Sequence, residues 1–223
     1  MTLNELTYTI WKKVKPRLSD DSDLTRDNIK HDISAERSML VWQQIRKGRP
    51  IHDALVQDLG CLELEIADAA ECCDFTTGCK VLRTKKKLPS EIKITRVGPV
   101  VKTKARFKLV TYEEAIASGN GRFNQDTVYA YHMNDRVYLK GGEKTLALLE
   151  YINVRGVFED PRDASEFSQC GSDKPCYSDD SDYPMPGWME TIVRDKLVKV
   201  YLQSESIPLD MGNDSKDQST DES

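Results

Sequence analysis

The first segment of the chain has the hydrophobic spacing of an amphipathic helix. Its apolar residues recur every three or four positions and therefore share one face: Leu3, Leu6, Ile10, Trp11 and Val14. Thr2 and Glu5 have the spacing of a capping box, in which each side chain accepts a hydrogen bond from the other residue's backbone N–H. Pro16 interrupts the pattern, so we predict a helix over residues 3–15.

Two later segments show the same helical spacing. The longer one covers residues 23–47 and ends before Gly48, a residue suited to the left-handed turn that closes a helix. Met39 and Trp42 make its apolar arc broader than a single packing neighbour requires. The other segment covers residues 184–202, near the end of the chain. Because each helix must bury an apolar face, we expect the three helices to pack together as a small bundle.

Between the helices the hydrophobic period changes to two, which is typical of half-buried strands. Residues 62–66 alternate apolar and acidic side chains, and residues 79–84 and 91–97 are further short strand-like runs. Residues 126–158 predict an antiparallel meander of three strands. Asn134-Asp135 is a pair that tolerates the positive φ angles of its first turn, and a pair of glycines makes the second.

The sequence INVRGVF, residues 152–158, is the predicted last strand of this meander. Arg155-Gly156 within it indicates a bulge or a close approach of two backbones. Asp160 and Pro161 follow with the form of a helix start, an N-cap residue and a first-turn proline, and predict a short helix over residues 159–167.

Together these elements predict an α+β fold, in which terminal helices form a bundle and an antiparallel β-rich region of about residues 59–158 is inserted between them. The chain divides accordingly into four parts. Residues 1–50 are an N-terminal helical part, and residues 51–158 are a β-rich insertion. Residues 159–203 return to the bundle with the C-terminal helix, and residues 204–223 are an acidic extended tail.

Composition and charge restrict the possible functions. The chain has 223 residues, of which 31% are charged, and no apolar run approaches the roughly 20 residues that span a bilayer. No signal peptide is recognisable, so we expect no membrane association and retention in the compartment of synthesis. The formal net charge of −5 argues against general affinity for nucleic acid, and any contact with DNA must come from a local basic patch.

One such patch is present in the chain. Residues 80–108 contain eleven lysines and arginines and a single acid, Glu91. The residues that we assign to a possible surface facing DNA or a partner are Lys85, Lys86, Lys87, Lys93, Arg96, Lys102, Lys104, Arg106 and Lys108. Such a surface would contact phosphates without sequence preference, or an acidic surface on another protein. The alternative is a solvated strand edge, on which lysines prevent pairing with other sheets.

Candidate chemistry is sparse. The three histidines, His31, His52 and His132, do not stand at metal-ligand spacing, and neither a phosphate-binding loop nor a nucleophile motif occurs. The six cysteines also lack the short paired spacing of a structural zinc site, so reduced thiols are the expectation: Cys61, Cys72, Cys73, Cys79, Cys170 and Cys176. We therefore predict a protein that is not an enzyme, without catalytic residues, cofactor or metal site.

Several segments resemble a known family. They are RLSDDSDLTRDNI, VQDLGCLELE, ASGNGRFN, INVRGVFEDP and CYSDDSDYPMPGWM. Over about residues 3–203 the chain is similar to the head–tail connector or tail ring proteins of crAss-like tailed bacteriophages. The resemblance implies a virion structural protein, made in the host bacterial cytoplasm, whose copies form a ring of twelve subunits. It also implies contact with the portal protein and other tail rings, around a channel through which DNA passes.

A different class of protein also fits the residues. A small zinc- or nucleic-acid-binding regulator of phage infection would use the cysteines as metal ligands and the basic segment for phosphates. Stoichiometric zinc in the purified protein would favour this alternative.

Overall fold

A computed structural model describes residues 1–18, 23–67, 81–100, 105–118 and 126–204. The α-helices are α1 (Leu3–Val14), α2 (Arg26–Arg46), α3 (Tyr112–Ala117), α4 (Glu143–Leu146) and α5 (Gly187–Ser204). The strands are β1 (Gln57–Asp58), β2 (Leu62–Ile66), β3 (Leu82–Thr84), β4 (Glu91–Pro99), β5 (Arg106–Leu109), β6 (Thr127–Met133), β7 (Arg136–Lys140) and β8 (Tyr151–Phe158). The predicted α+β fold with terminal helices is confirmed.

The terminal helices α1, α2 and α5 pack against one another, as the sequence predicted. The capping box at the start of α1 is present: the backbone N–H of Thr2 donates to Glu5 Oε2 at 2.9 Å, and that of Glu5 donates to Thr2 Oγ1 at 3.1 Å. Helix α2 begins later than predicted, because Thr25 is its N-cap and accepts from the backbone N–H of Asn28 at 3.2 Å. Gly48 has a φ of +66° just after the end of α2, which confirms its role in closing the helix.

Strand β8 pairs with three other strands, more than any other strand of the described sheet. It pairs antiparallel with β4 along one side, and with β1 and then β2 along the other. Beyond β2 the order continues through β3, β7 and β6 to β5, and the sheet curls so that β5 comes into contact with β4. The expectation of a purely antiparallel region is wrong at one strand, because β5 runs parallel to β6.

The predicted three-strand meander is correct for its first hairpin only. Asn134 and Asp135 join β6 to β7 with φ angles of 51° and 59°. The chain then leaves β7 through the short helix α4, and β2 and β3 lie between β7 and β8. The reason is burial: most β8 side chains are apolar and enclosed, which suits the middle of a sheet better than the end of a meander.

Gly156 of β8 allows a close approach of two strands. The pairing of β8 with β4 shifts register between Ile94 and Arg96, opposite Gly156 and Arg155. A Cβ at position 156 would lie 3.0 Å from the backbone oxygen of Lys93, tighter than almost any real contact. The predicted bulge or close approach at Arg155-Gly156 is therefore confirmed.

The segment after β8 forms the predicted short helical turn, as a 3₁₀ helix over Pro161–Glu166. Asp160 is its N-cap and accepts from the backbone N–H of Arg162 at 3.0 Å. This turn redirects the chain from the centre of the sheet toward the helical bundle.

Arg37 of α2 joins the bundle to the sheet. Its side chain is fully buried, and its guanidinium donates to three backbone oxygens: Pro184 at 2.8 Å, Phe158 at 2.9 Å and Leu55 at 3.3 Å. Burial lowers the pKa of this guanidinium, and the nearby Tyr183 and Asp160 oppose the shift. A buried cation is tolerated only where its N–H groups find acceptors, so these contacts fix where three distant segments meet.

We predict that Arg37→Ala lowers the free energy of unfolding by about 3–5 kcal/mol, because it leaves a cavity and three carbonyls without their donor. Arg46→Ala, on an exposed position of the same helix, should change it by no more than about 0.5 kcal/mol. Urea unfolding followed by circular dichroism measures both. Equal effects of the two substitutions would contradict a structural role for Arg37.

Candidate assembly surfaces

The structure divides the predicted basic patch into two groups. In the first, each lysine of the triplet after β3 lies near a carboxylate from a distant part of the chain. Lys85 Nζ is 2.9 Å from Glu63, Lys86 Nζ is 3.8 Å from Glu166, and Lys87 Nζ is 3.6 Å from Asp135, measured to carboxylate oxygens. The hydrogen bond that Lys85 donates to the Glu63 carboxylate also raises the pKa of Lys85. The charge of this group is thus largely compensated within the chain.

The second group consists of Lys93 and Arg96 on β4 and of Arg106 and Lys108 on β5. All four side chains are exposed, and within the described residues none forms an ion pair. Lys93 projects away from the buried Ile92 and Ile94 side of β4, and Arg106 and Lys108 project away from the Phe107 side of β5, because side chains alternate along a strand. Arg96 is exposed as well, because the pairing register of β4 shifts between Ile94 and Arg96. We call these four residues the cationic surface. Lys102 and Lys104, also in the predicted patch, lie outside the described residues.

A second feature is an open cleft of about 940 Å³ between β1, the loop after the 3₁₀ helix and the start of α5. Its carboxylates come from four separate positions: Asp53, Asp58, Asp182 and Glu190. No Lys, Arg or His side chain from the described parts of the chain lines it. The terminal ammonium of Met1 lies 3.7 Å from Asp182 and 3.9 Å from Glu190. We call this feature the acidic cleft.

Two buried polar atoms at the acidic cleft have no hydrogen-bond partner among the described residues. One is the hydroxyl of Tyr177, a residue that is only 4% exposed, and the other is the side-chain oxygen of Gln57. The amide nitrogen of Gln57 is occupied, since it donates to the backbone oxygen of Pro161 at 3.1 Å. Burial raises the pKa of Tyr177, so its hydroxyl stays neutral. The cleft therefore combines negative charge with two buried oxygens that lack partners, while Arg155 Nε, 3.5 Å from the Asp58 carboxylate, compensates one of its charges.

A disulfide closes one wall of the cleft. Cys61 and Cys170 are 109 residues apart in sequence, but their Cα atoms lie 4.9 Å apart and the sulfurs are bonded. The expectation of reduced thiols is therefore wrong for this pair. Gly60, with a φ of +70°, allows the loop to approach, because a Cβ there would lie 2.3 Å from the backbone oxygen of Ser168. Cys176 stays a free thiol, whose pKa burial raises to about 11.

The other candidate ligands are dispersed. His52 Nδ1 accepts from the backbone N–H of Ala54 at 3.1 Å, His132 Nδ1 lies 2.8 Å from Glu91, and His31 is exposed on α2. No group of three His, Cys, Asp or Glu residues in the described ranges could hold a metal ion. The other three cysteines, Cys72, Cys73 and Cys79, lie outside those ranges.

Large apolar side chains remain on the surface of the helical bundle. Met39 and Trp42 of α2 are each 38% exposed, and Trp188 and Ile192 of α5 are 48% and 45% exposed. The latter two are four residues apart and so share a face of α5. Exposed apolar side chains grouped on the outside of a bundle are typical of contact with another protein. None of the described helices is long and apolar enough to cross a bilayer.

A family model described as phage tail ring protein 2 matches residues 5–222, which is nearly the whole chain. No curated protein matches the sequence.

We predict that replacing Cys61 and Cys170 together by serine lowers the free energy of unfolding by about 4 kcal/mol, because the bond closes a loop of more than 100 residues in the unfolded chain. Dithiothreitol should lower the stability of the unmodified protein by a similar amount and leave the double variant unchanged. Cys176→Ser is the control that keeps the bond. Non-reducing peptide mapping that finds Cys61 alkylated in the oxidised protein would contradict the assignment.

Proposed function

The chain belongs to the phage tail ring protein 2 family, tail ring proteins of crAss-like phages, and from this premise we propose its place in the virion. Copies of the chain close into a ring of twelve in the tail. The ring links the portal protein to the tail rings below it and surrounds the channel through which DNA passes. Its role is structural, and catalysis is no part of it.

The observation that best supports this proposal is the exposed apolar face of α5, formed by Trp188 and Ile192. The neighbouring side of the same helix is buried in the bundle with α1 and α2, through residues such as Met189 and Val193. The bundle thus has a core of its own, and the apolar face formed by Trp188 and Ile192 is not part of that core. Aromatic side chains of this kind contribute most of the binding energy where proteins associate.

Electrostatics are consistent with a ring around moving DNA. A formal net charge of −5 per copy repels phosphates overall, so a ring of many copies would not hold DNA tightly. Any attraction must be local, and the cationic surface of Lys93, Arg96, Arg106 and Lys108 is where it is available. We propose that this surface faces either packaged DNA or an acidic surface of a neighbouring subunit.

We expect the purified full chain to form closed rings, alone or on the portal protein, visible by mass photometry and electron microscopy. The double substitution Trp188→Glu with Ile192→Glu should weaken subunit association by at least about 30-fold, because that is the effect of losing even one strongly contributing interface residue. Each variant should keep its circular dichroism spectrum, because both side chains are already partly exposed.

Tyr8→Glu is the matched control, since Tyr8 is 55% exposed on α1, outside this face of α5. If the doubly substituted protein still forms rings, the contact between subunits does not involve this face of α5. A chain that stays monomeric and does not bind the portal protein would contradict the ring function itself.

A further inference from the structure

We propose that the acidic cleft of one copy binds basic side chains from the cationic surface of a second copy, and that this contact joins successive subunits. The inference rests on the proposed ring function and specifies which surfaces meet. The residues that we assign as donors are Arg106 and Lys108 on β5. Those that receive them are the exposed carboxylates of Asp53 and Asp182 at the cleft.

The chemistry of the cleft selects the kind of group that it binds. Tyr177 and Gln57 present buried oxygens without partners, and the carboxylates around them only accept hydrogen bonds. A suitable ligand is positively charged and carries several N–H donors and no acceptor. Arginine and lysine side chains meet this description, whereas phosphates and carboxylates are repelled.

A bare metal ion fits the cleft less well than a side chain. The four carboxylates are spread around a space of about 940 Å³, and no three of the described acidic or sulfur ligands converge closely enough to hold a cation. A space of that size is large enough for several side chains. The separated carboxylates suit a strand that presents positively charged side chains at intervals.

A second copy of the chain supplies such a strand. Arg106 and Lys108 are two residues apart on β5, so both project from the same side of it, and β5 is at the end of the sheet order. Both side chains are exposed. Their charges have no ion-pair partner in the described part of their own chain, unlike those of Lys85, Lys86 and Lys87.

The two surfaces are far enough apart to serve different neighbours. In the sheet, β1 borders the cleft, β8 and β4 follow, and β5 lies beyond β4, so at least two strand spacings of about 5 Å separate it from β1. Arg96, by contrast, shares a groove with Asp53 and Arg155 next to its own cleft. A cyclic ring requires two different and complementary surfaces on every subunit, and the cleft and β5 form such a pair.

Reversing the charge of either surface tests this pairing. The cleft variant carries Asp53→Lys and Asp182→Lys, and the strand variant carries Arg106→Glu and Lys108→Glu. All four positions are exposed, so folding should be retained, and circular dichroism and melting curves check this. Sedimentation velocity, with and without the portal protein, should show each variant alone associating at least about tenfold more weakly than the unmodified chain.

Mixing the two variants in equal amounts should restore rings. Each lysine-bearing cleft then meets a glutamate-bearing strand, and each unmodified cleft meets an unmodified strand, so the two species alternate around the ring. Recovery on mixing also proves that neither variant failed through misfolding. Glu150→Lys with Glu159→Lys, two exposed carboxylates outside the cleft, should assemble normally.

The possible outcomes separate the two proposals. If the unmodified chain forms rings and the cleft variant forms them equally well, or if the mixture fails to recover, the cleft–strand contact is overturned while the ring function stands. If the strand variant assembles normally but loses salt-dependent binding of duplex DNA, β5 faces DNA and the inference fails. If the unmodified chain forms no ring under any condition, the ring function is overturned first.

Discussion

The guanidinium of Arg37 donates to the backbone oxygens of Leu55, Phe158 and Pro184, and these three residues belong to segments that are remote in sequence. Because a buried guanidinium without acceptors costs several kcal/mol, the packing of α2 against the sheet depends on all three segments. Asp160 and Ser34 extend this network, since the hydroxyl of Ser34 donates to the Asp160 carboxylate at 3.2 Å.

The same contacts position the acidic cleft. Leu55 ends the turn that carries Asp53, and Pro184 stands two residues after Asp182, so Arg37 holds the backbone next to two of the cleft carboxylates. Burial disfavours the Asp160 carboxylate, but hydrogen bonds from Arg162 outweigh that effect and keep its pKa below the ordinary value. The position of the exposed Asp53 and Asp182 carboxylates thus depends on the buried charge of Arg37.

Sequence patterns predicted those structural elements that depend on residues close together in the chain. The capping box of Thr2 and Glu5, the turn at Asn134-Asp135 and the N-cap at Asp160 each depend on residues a few positions apart. The place of β8, the parallel β5 and the Cys61–Cys170 bond depend on residues far apart, and no periodicity records such pairings. The basic patch shows the same limit, because the carboxylates that compensate Lys85, Lys86 and Lys87 come from other elements.

The central position of β8 also has a consequence for protein synthesis. A ribosome makes β1, β2 and β4 well before β8, the strand that pairs with all three, and makes Pro184 later still. Until then the nascent chain exposes unpaired strand edges, which are prone to join other chains. The sheet is completed only after most of the protein has been translated.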